Sequence, residues 1–259
     1  KSGQIIATSE VLYDGSTFIF EVATGSRYGH IGFVYVEKDG SVTVYESTPP
    51  IGASKTSVKE FLSRSIIEAD GAATYQAAIL ETRDALSAEK ISAMKTEAEK
   101  LIEQRLPYNY EQKQVEDAKN CSEFVHHIFT QVGIVLSKLE TTADLNMNAF
   151  GGVLRQMLGI DFSEEDRFVS PAAIVFSNQL RVLTTTLPTD RILSEREIVE
   201  AWMEVDGGLE SLIRGLAPIS LPDEHLPAAI EQFKTGLLPL ASNTPYRDFP
   251  SKPICKEEL

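Results

Sequence analysis

Apolar residues recur at two spacings along this chain, and the spacings separate helices from strands. Within residues 87–106, Ile91, Met94, Ala98, Leu101 and Ile102 fall at three- and four-residue steps with charges between them. That pattern predicts an amphipathic helix, and Pro107 ends it. Phe124, Val125, Ile128, Phe129 and Val132 form a second such stripe, so another helix is expected to begin near Cys121. Residues 30–36 (HIGFVYV) and 41–47 (SVTVYES) are instead rich in β-branched and aromatic side chains and flank Lys38-Asp-Gly40. They predict a β-hairpin. Residues 4–7 read as a short strand, 58–63 as a helical turn, 72–81 as a strand and 146–158 as a helix. Residues 16–23 fit either a strand or a short helix. Two short apolar runs in 169–184 are expected to return to the sheet.

The hairpin turn decides which side chains share a face. Side chains alternate along a strand. A two-residue Asp39-Gly40 turn would put His30 and Glu46 on opposite faces. A three-residue loop with Gly40 in the left-handed conformation pairs position 36 with 42 and 32 with 46, and places His30 diagonally across from Glu46. Asp-Gly favours the shorter turn; joint burial of Val34, Val36, Val42 and Val44 favours the longer. The longer loop is the expected one.

Beyond about residue 185 the character changes. Eight of the 12 prolines lie from Pro188 onward, and residues 198–213 and 228–233 read as helices between Pro-rich connectors. The chain therefore divides into a domain over 1–185 and a helical extension over 186–259. The extension carries no catalytic motif.

Composition narrows the function. The 259 residues carry a net charge of −14, with 42% hydrophobic and 24% charged residues. These are globular values, and the acidic balance argues against a nucleic-acid surface, which needs clustered Lys and Arg. No apolar run reaches the roughly 20 residues of a membrane helix. Scattered histidines without paired cysteines give no zinc pattern, and no Gly-rich phosphate loop occurs. Neither metal nor cofactor is expected. Of the two cysteines, Cys255 lies four residues from the C-terminus, and a bridge to it would silence Cys121.

Cys121 is the candidate of interest. It falls in the first turn of a predicted helix, where unpaired N–H groups and the positive end of the dipole stabilise an anion. The thiolate is the nucleophilic form of cysteine. His30 on one strand and Glu46 on the next supply a base and a carboxylate to orient it. Backbone N–H groups at the helix start are natural oxyanion donors. Of the other histidines, His126 and His127 read as packing or surface residues of the same helix and His225 as solvated. Glu123 reads as a first-turn residue that complements the dipole.

Gly3-Gln-Ile-Ile, Ser26-Arg-Tyr-Gly-His-Ile-Gly-Phe-Val34, Val44-Tyr-Glu-Ser47, Leu106-Pro-Tyr-Asn-Tyr110 and Asn120-Cys-Ser-Glu-Phe-Val125 together carry a resemblance. Over roughly residues 3–180 the chain resembles the circularly permuted branch of the NlpC/P60 superfamily, the YiiX/YaeF-like papain-fold hydrolases. The order His, Glu, Cys is the mark of permutation. The resemblance implies an α+β, permuted papain-like fold: an antiparallel sheet packed against helices, one of which carries the cysteine. It implies Cys121 as nucleophile, His30 as base and Glu46 as third member, with Tyr108 and Ser122 as candidate oxyanion or substrate-binding residues. Gly29 and Ser47 depart mildly from the family pattern, where a small hydroxylated residue and an alanine are usual. The implied activity is hydrolysis of an amide or ester through a thioester. The partner would be a small peptide, amino-acyl or acyl-amide substrate, such as a cell-wall peptide or an N-acyl or lipid-linked molecule. Export to the cell envelope would accompany a cell-wall role, and a start at Lys1 is compatible with a removed signal peptide. An acyltransferase of related fold and a catalytically silent binding module are the alternatives.

Overall fold

The computed structural model describes residues 1–9, 21, 23–69, 72–75, 77–110, 114–145, 163–186, 226–232 and 235. Six segments build one antiparallel sheet. Its strands are β1 (Gln4–Thr8), β2 (His30–Val36), β3 (Val42–Thr48), β4 (Gly52–Ser57), β7 (Ala77–Thr82) and β8 (Leu180–Thr186), in the order β4-β3-β2-β1-β7-β8. Strands β5 (Ile66–Ala69) and β6 (Ala72–Tyr75) pair separately as a two-stranded ribbon. The β2–β3 hairpin takes the longer loop, pairing Val36 with Val42 and Val34 with Val44, and Gly40 sits at φ 86°.

The period-2 pattern gives each face of the sheet its own cover. Ile5, Ala7, Ile31, Phe33 and Tyr45 are buried on one face. Against them pack α2 (Ala88–Glu103) through Met94, Ala98 and Leu101, and α3 (Cys121–Gln131) through Phe124, Val125, Ile128 and Phe129. Burying one such large side chain contributes roughly 1.5–3 kcal/mol, so this face supplies the main core. Ile6, Val34 and Val44 point the other way and meet Phe61 of the short helix α1 (Val58–Ser63). Gly32 makes that contact possible. A Cβ there would stand 2.4 Å from Val44 Cγ1 and 3.2 Å from the Phe61 ring.

Two further helices are described, α4 (Pro171–Val175) and α5 (Leu226–Gln232). Among the described residues no helix is long and apolar enough to cross a membrane.

Several elements differ from the sequence expectation. The strand expected over 72–81 is two strands, β6 in the ribbon and β7 in the main sheet. The first apolar run of 169–184 is not a strand. Ser170 caps it, accepting from the Ala173 N–H at 3.0 Å, and Pro171 opens helix α4. Ser-Pro at a helix start is favoured because proline occupies a position whose N–H has no partner. Strand β4 was not foreseen, since Gly-Ala-Ser-Lys-Thr-Ser lacks apolar alternation. The helices expected over 146–158 and 198–213, and the segment 16–23 apart from residues 21 and 23, lie outside the described residues, as does His225.

Gly52 opens β4 at φ 80°, and its Cα lies so close to the next loop that a Cβ would stand 2.2 Å from the Leu106 carbonyl oxygen. A Gly52→Ala substitution combines left-handed strain with overlap, each costing roughly 1–3 kcal/mol. A lowered urea midpoint, equivalent to roughly 2–4 kcal/mol, is the expected result. An unchanged midpoint would mean that the β3–β4 tip shifts freely away from residues 106–107.

Candidate active site

Helix α3 begins where its sequence says it should. The Asn120 side chain accepts from the Glu123 N–H at 2.9 Å, and Glu123 Oε2 accepts from the Asn120 N–H at 2.9 Å. This reciprocal capping box satisfies two of the four leading N–H groups. Among the described residues, the N–H groups of Cys121 and Ser122 make no hydrogen bond. Cys121 is a free thiol, buried, with its Sγ 3.9 Å from the Gly29 carbonyl oxygen. The residue after Gly29 is His30, so the nucleophile candidate lies against the start of β2.

The hairpin register brings the carboxylate in from the neighbouring strand. His30 Nε2 is 2.6 Å from Glu46 Oε2, and both side chains are almost wholly buried. Nε2 is thereby committed to Glu46. Ser47, the next residue on β3, donates through its hydroxyl to the Lys119 carbonyl at 2.7 Å. The departure from alanine at this position thus ties the Glu46 strand to the residue two before Cys121.

A residue that the sequence reading missed closes the far side of Glu46. Arg64, the C-cap of α1, places Nη2 2.8 Å from Glu46 Oε1 and 2.7 Å from Oε2. Its guanidinium lies 5.1 Å from the centroid of the Phe61 ring. That ring in turn is 5.3 Å from the His30 ring. Burial acts to raise the Glu46 carboxyl; the His30 hydrogen bond and the charges of His30 and Arg64 outweigh it and hold the carboxyl below its ordinary value.

The remaining candidates sort differently. Tyr108 is buried and packs edge-on against Tyr110 at 5.1 Å. Its loop is fastened to the start of α3, because Asn109 Nδ2 donates to Glu123 Oε2 at 2.9 Å and the Lys119 N–H to the Pro107 carbonyl at 3.1 Å. The Ser122 hydroxyl is turned into the protein, donating to Asn120 Oδ1 at 2.9 Å and to the Val169 carbonyl. A substrate contact by that hydroxyl is therefore not what this geometry offers; the backbone N–H of Ser122 is the group that remains. His127 lies on the surface of α3 beside Glu97, 2.9 Å away, in keeping with a surface role. His126 is partly buried, and burial lowers its imidazole below the ordinary value.

Glu123 is more than a dipole partner. It is 3% exposed, and its Oε1 is buried without a hydrogen-bond partner. Burial, against the bonds from Asn120 and Asn109, pushes its carboxyl up to about 7. The spacing Asn120-Cys-Ser-Glu123 is the sequence signal for the capping box. No comparable local signal marks Arg64 or Asn109. Among the described residues no group of three or more His, Cys, Asp or Glu is placed to hold a metal ion.

Comparison with known proteins bears on the family and the fold. The family model described as permuted papain-like amidase enzyme, YaeF/YiiX, C92 family, matches residues 6–184. No curated protein matches the sequence. The crystal structure of the metalloprotein YiiX from Escherichia coli O157:H7 superposes with a TM-score of 0.61 at 19% identity, covering 73% of this chain and 98% of YiiX. The order of elements, the antiparallel sheet with its helix-borne cysteine and the span of the family match lead to one assignment. The chain belongs to the permuted papain-like amidases of the YaeF/YiiX, C92 family.

Proposed function

We propose that this protein is a cysteine hydrolase that cleaves amide or ester bonds through a thioester on Cys121. One observation carries the proposal: the buried 2.6 Å contact of His30 Nε2 with Glu46, next to a helix N-terminus that bears the free thiol. In this reading Cys121 Sγ attacks the substrate carbonyl carbon while His30 Nδ1 takes the thiol proton. The carbonyl oxygen becomes an oxyanion and accepts from the Cys121 and Ser122 N–H groups, with Tyr108 alongside. The His30 proton then passes to the leaving amine or alkoxide as the bond to carbon breaks. Water, deprotonated by the same imidazole, attacks the thioester and releases the acid and the thiol. Glu46 keeps Nε2 protonated throughout, which fixes the tautomer and offsets the imidazolium charge.

The substrate in this proposal is a small peptide, amino-acyl or acyl-amide molecule. The motifs that resemble the permuted NlpC/P60 branch favour cell-wall peptides or N-acyl and lipid-linked amides, with a cell-envelope location as the corollary. Residues 1–185 would form the catalytic domain and 186–259 an extension.

The test is capture of the intermediate. The protein is mixed with p-nitrophenyl acetate, quenched in acid, digested and examined by mass spectrometry. A hydroxylamine-sensitive acetyl group on the Cys121 peptide, appearing faster than on the Cys255 peptide, is the expected result. Equal labelling of both cysteines, or none, would overturn the reading. Adding an amine or alcohol acceptor in the same experiment separates hydrolysis from acyl transfer, since only a transferase delivers most of the acyl group to the acceptor.

A further inference from the structure

We infer that Arg64 is a positioning residue for this site, holding the Glu46 carboxylate ionised and aimed at His30 from a guanidinium stacked on Phe61. The inference rests on the hydrolase reading above and extends the triad by one member outward.

Four observations converge on it. Arg64 Nη2 contacts both Glu46 oxygens, at 2.8 and 2.7 Å. Oε2 thereby receives His30 on one side and Arg64 on the other, so the carboxylate cannot rotate without breaking a charge-assisted bond. The pair is buried, with the Arg64 side chain 9% exposed and that of Glu46 2% exposed. Water is thus kept from competing, and a guanidinium is the cation best suited to such a place because it is weakly hydrated and permanently charged. Third, the guanidinium lies over the Phe61 ring at 5.1 Å, a cation–π distance that fixes its plane. Phe61 also lies under His30, so one aromatic ring buttresses both the base and the residue that anchors the carboxylate. Fourth, helix α1 delivers Arg64 from its own end: Ser57 caps the start by accepting from the Glu60 N–H at 3.1 Å, and Arg64 is the C-cap.

The charge logic follows from who faces Glu46. His30 faces it from β2 and Arg64 from the end of α1, while β4 offers only Ser54 at the paired position. Were Arg64 absent, an ionised Glu46 would rest, among the described residues, on His30 alone in a buried setting. The carboxyl would then hold its proton to higher pH, and a protonated Glu46 no longer offsets an imidazolium.

The experiment measures p-nitrophenyl acetate hydrolysis by the full chain against pH, for wild type, Arg64→Ala, Arg64→Met and Arg64→Lys. The methionine keeps an apolar stem on Phe61 and removes only the charge, which serves if the alanine variant does not fold. The expected result is a kcat lower by roughly 10- to 100-fold in both neutral variants, with KM changed little, as for loss of a partner that orients a catalytic group. The acid limb of the profile should move up by about one pH unit or more, and Arg64→Lys should restore its position. A folded neutral variant with wild-type kcat and an unmoved acid limb would overturn the inference. If its activity still vanished in a Cys121→Ala background, the hydrolase reading would survive that outcome. If wild-type activity itself were indifferent to Cys121, the hydrolase reading would fail.

Discussion

Cys121→Ala should lower kcat for p-nitrophenyl acetate by roughly 10³-fold or more, to the level supported by binding and backbone donors alone. In the proposed mechanism the sulfur forms the covalent bond, and alanine leaves the Asn120–Glu123 capping box in place, since both its bonds avoid residue 121's side chain. The helix start therefore survives and circular dichroism should be unchanged. His30→Ala should cost nearly as much, because in the proposed mechanism the thiol then loses the base that takes its proton. The double variant should be hardly worse than either single one, as groups that act in one step are not additive. Multiplied losses would mean that cysteine and histidine act separately, and a His30→Ala enzyme with wild-type kcat would remove the histidine from the mechanism.

The placement of His30, Glu46 and Cys121 was legible because each stood on an element with its own local pattern. His30 opened a strand of alternating β-branched residues, Glu46 lay on the partner strand, and Cys121 preceded a 3.6-period stripe. Only the register between His30 and Glu46 needed a decision. Burial of four valines predicted it, and the pairing of Val34 with Val44 is the observed one. Hydrophobic area outweighed the local preference of Asp-Gly for a tighter turn, in line with register being set by the face that must be buried.

What stayed hidden was tertiary. Arg64 ends a six-residue helix whose one buried residue is Phe61, and nothing in Lys59-Glu-Phe-Leu-Ser-Arg64 says that its last side chain will reach a carboxylate on β3. β4 holds the sheet edge with small polar residues, selected by pairing with β3 and by the close approach of residues 106–107 at Gly52, and neither pressure leaves a period in the sequence. The direction of the Ser122 hydroxyl was hidden for a related reason. One step along a helix turns a side chain by about 100°, here into the Asn120 side chain and the Val169 carbonyl, which leaves the Ser122 backbone N–H as its group at the helix start.

Glu123 sets the second large effect, on stability. An acid buried without a partner for one oxygen is disfavoured when charged, and its carboxyl titrates at about 7 in the fold against an ordinary 4.5. Because the folded value is the higher, the native state binds more protons than the unfolded chain between these limits. Stability therefore falls as pH rises from about 4.5 towards 7 and is level above that, for this residue's share. Across pH 5 to 8 the share is roughly 2–3 kcal/mol. Glu123→Gln has no such titration, yet its amide oxygen can still accept from the Asn120 N–H and from Asn109. Urea unfolding of both proteins at pH 5 and pH 8 isolates the term, since every other group titrates alike in the two. The wild type should lose roughly 2–3 kcal/mol more than the variant on going to pH 8. Parallel changes would mean that Glu123 is ionised throughout and that its Oε1 finds a partner in solution. The consequence for the site is electrostatic. With its carboxyl pushed up to about 7, Glu123 carries less negative charge two residues along from Cys121 than an ordinary carboxylate would, while its Oε2 still fastens Asn109, and with it the Tyr108 loop, to the helix start.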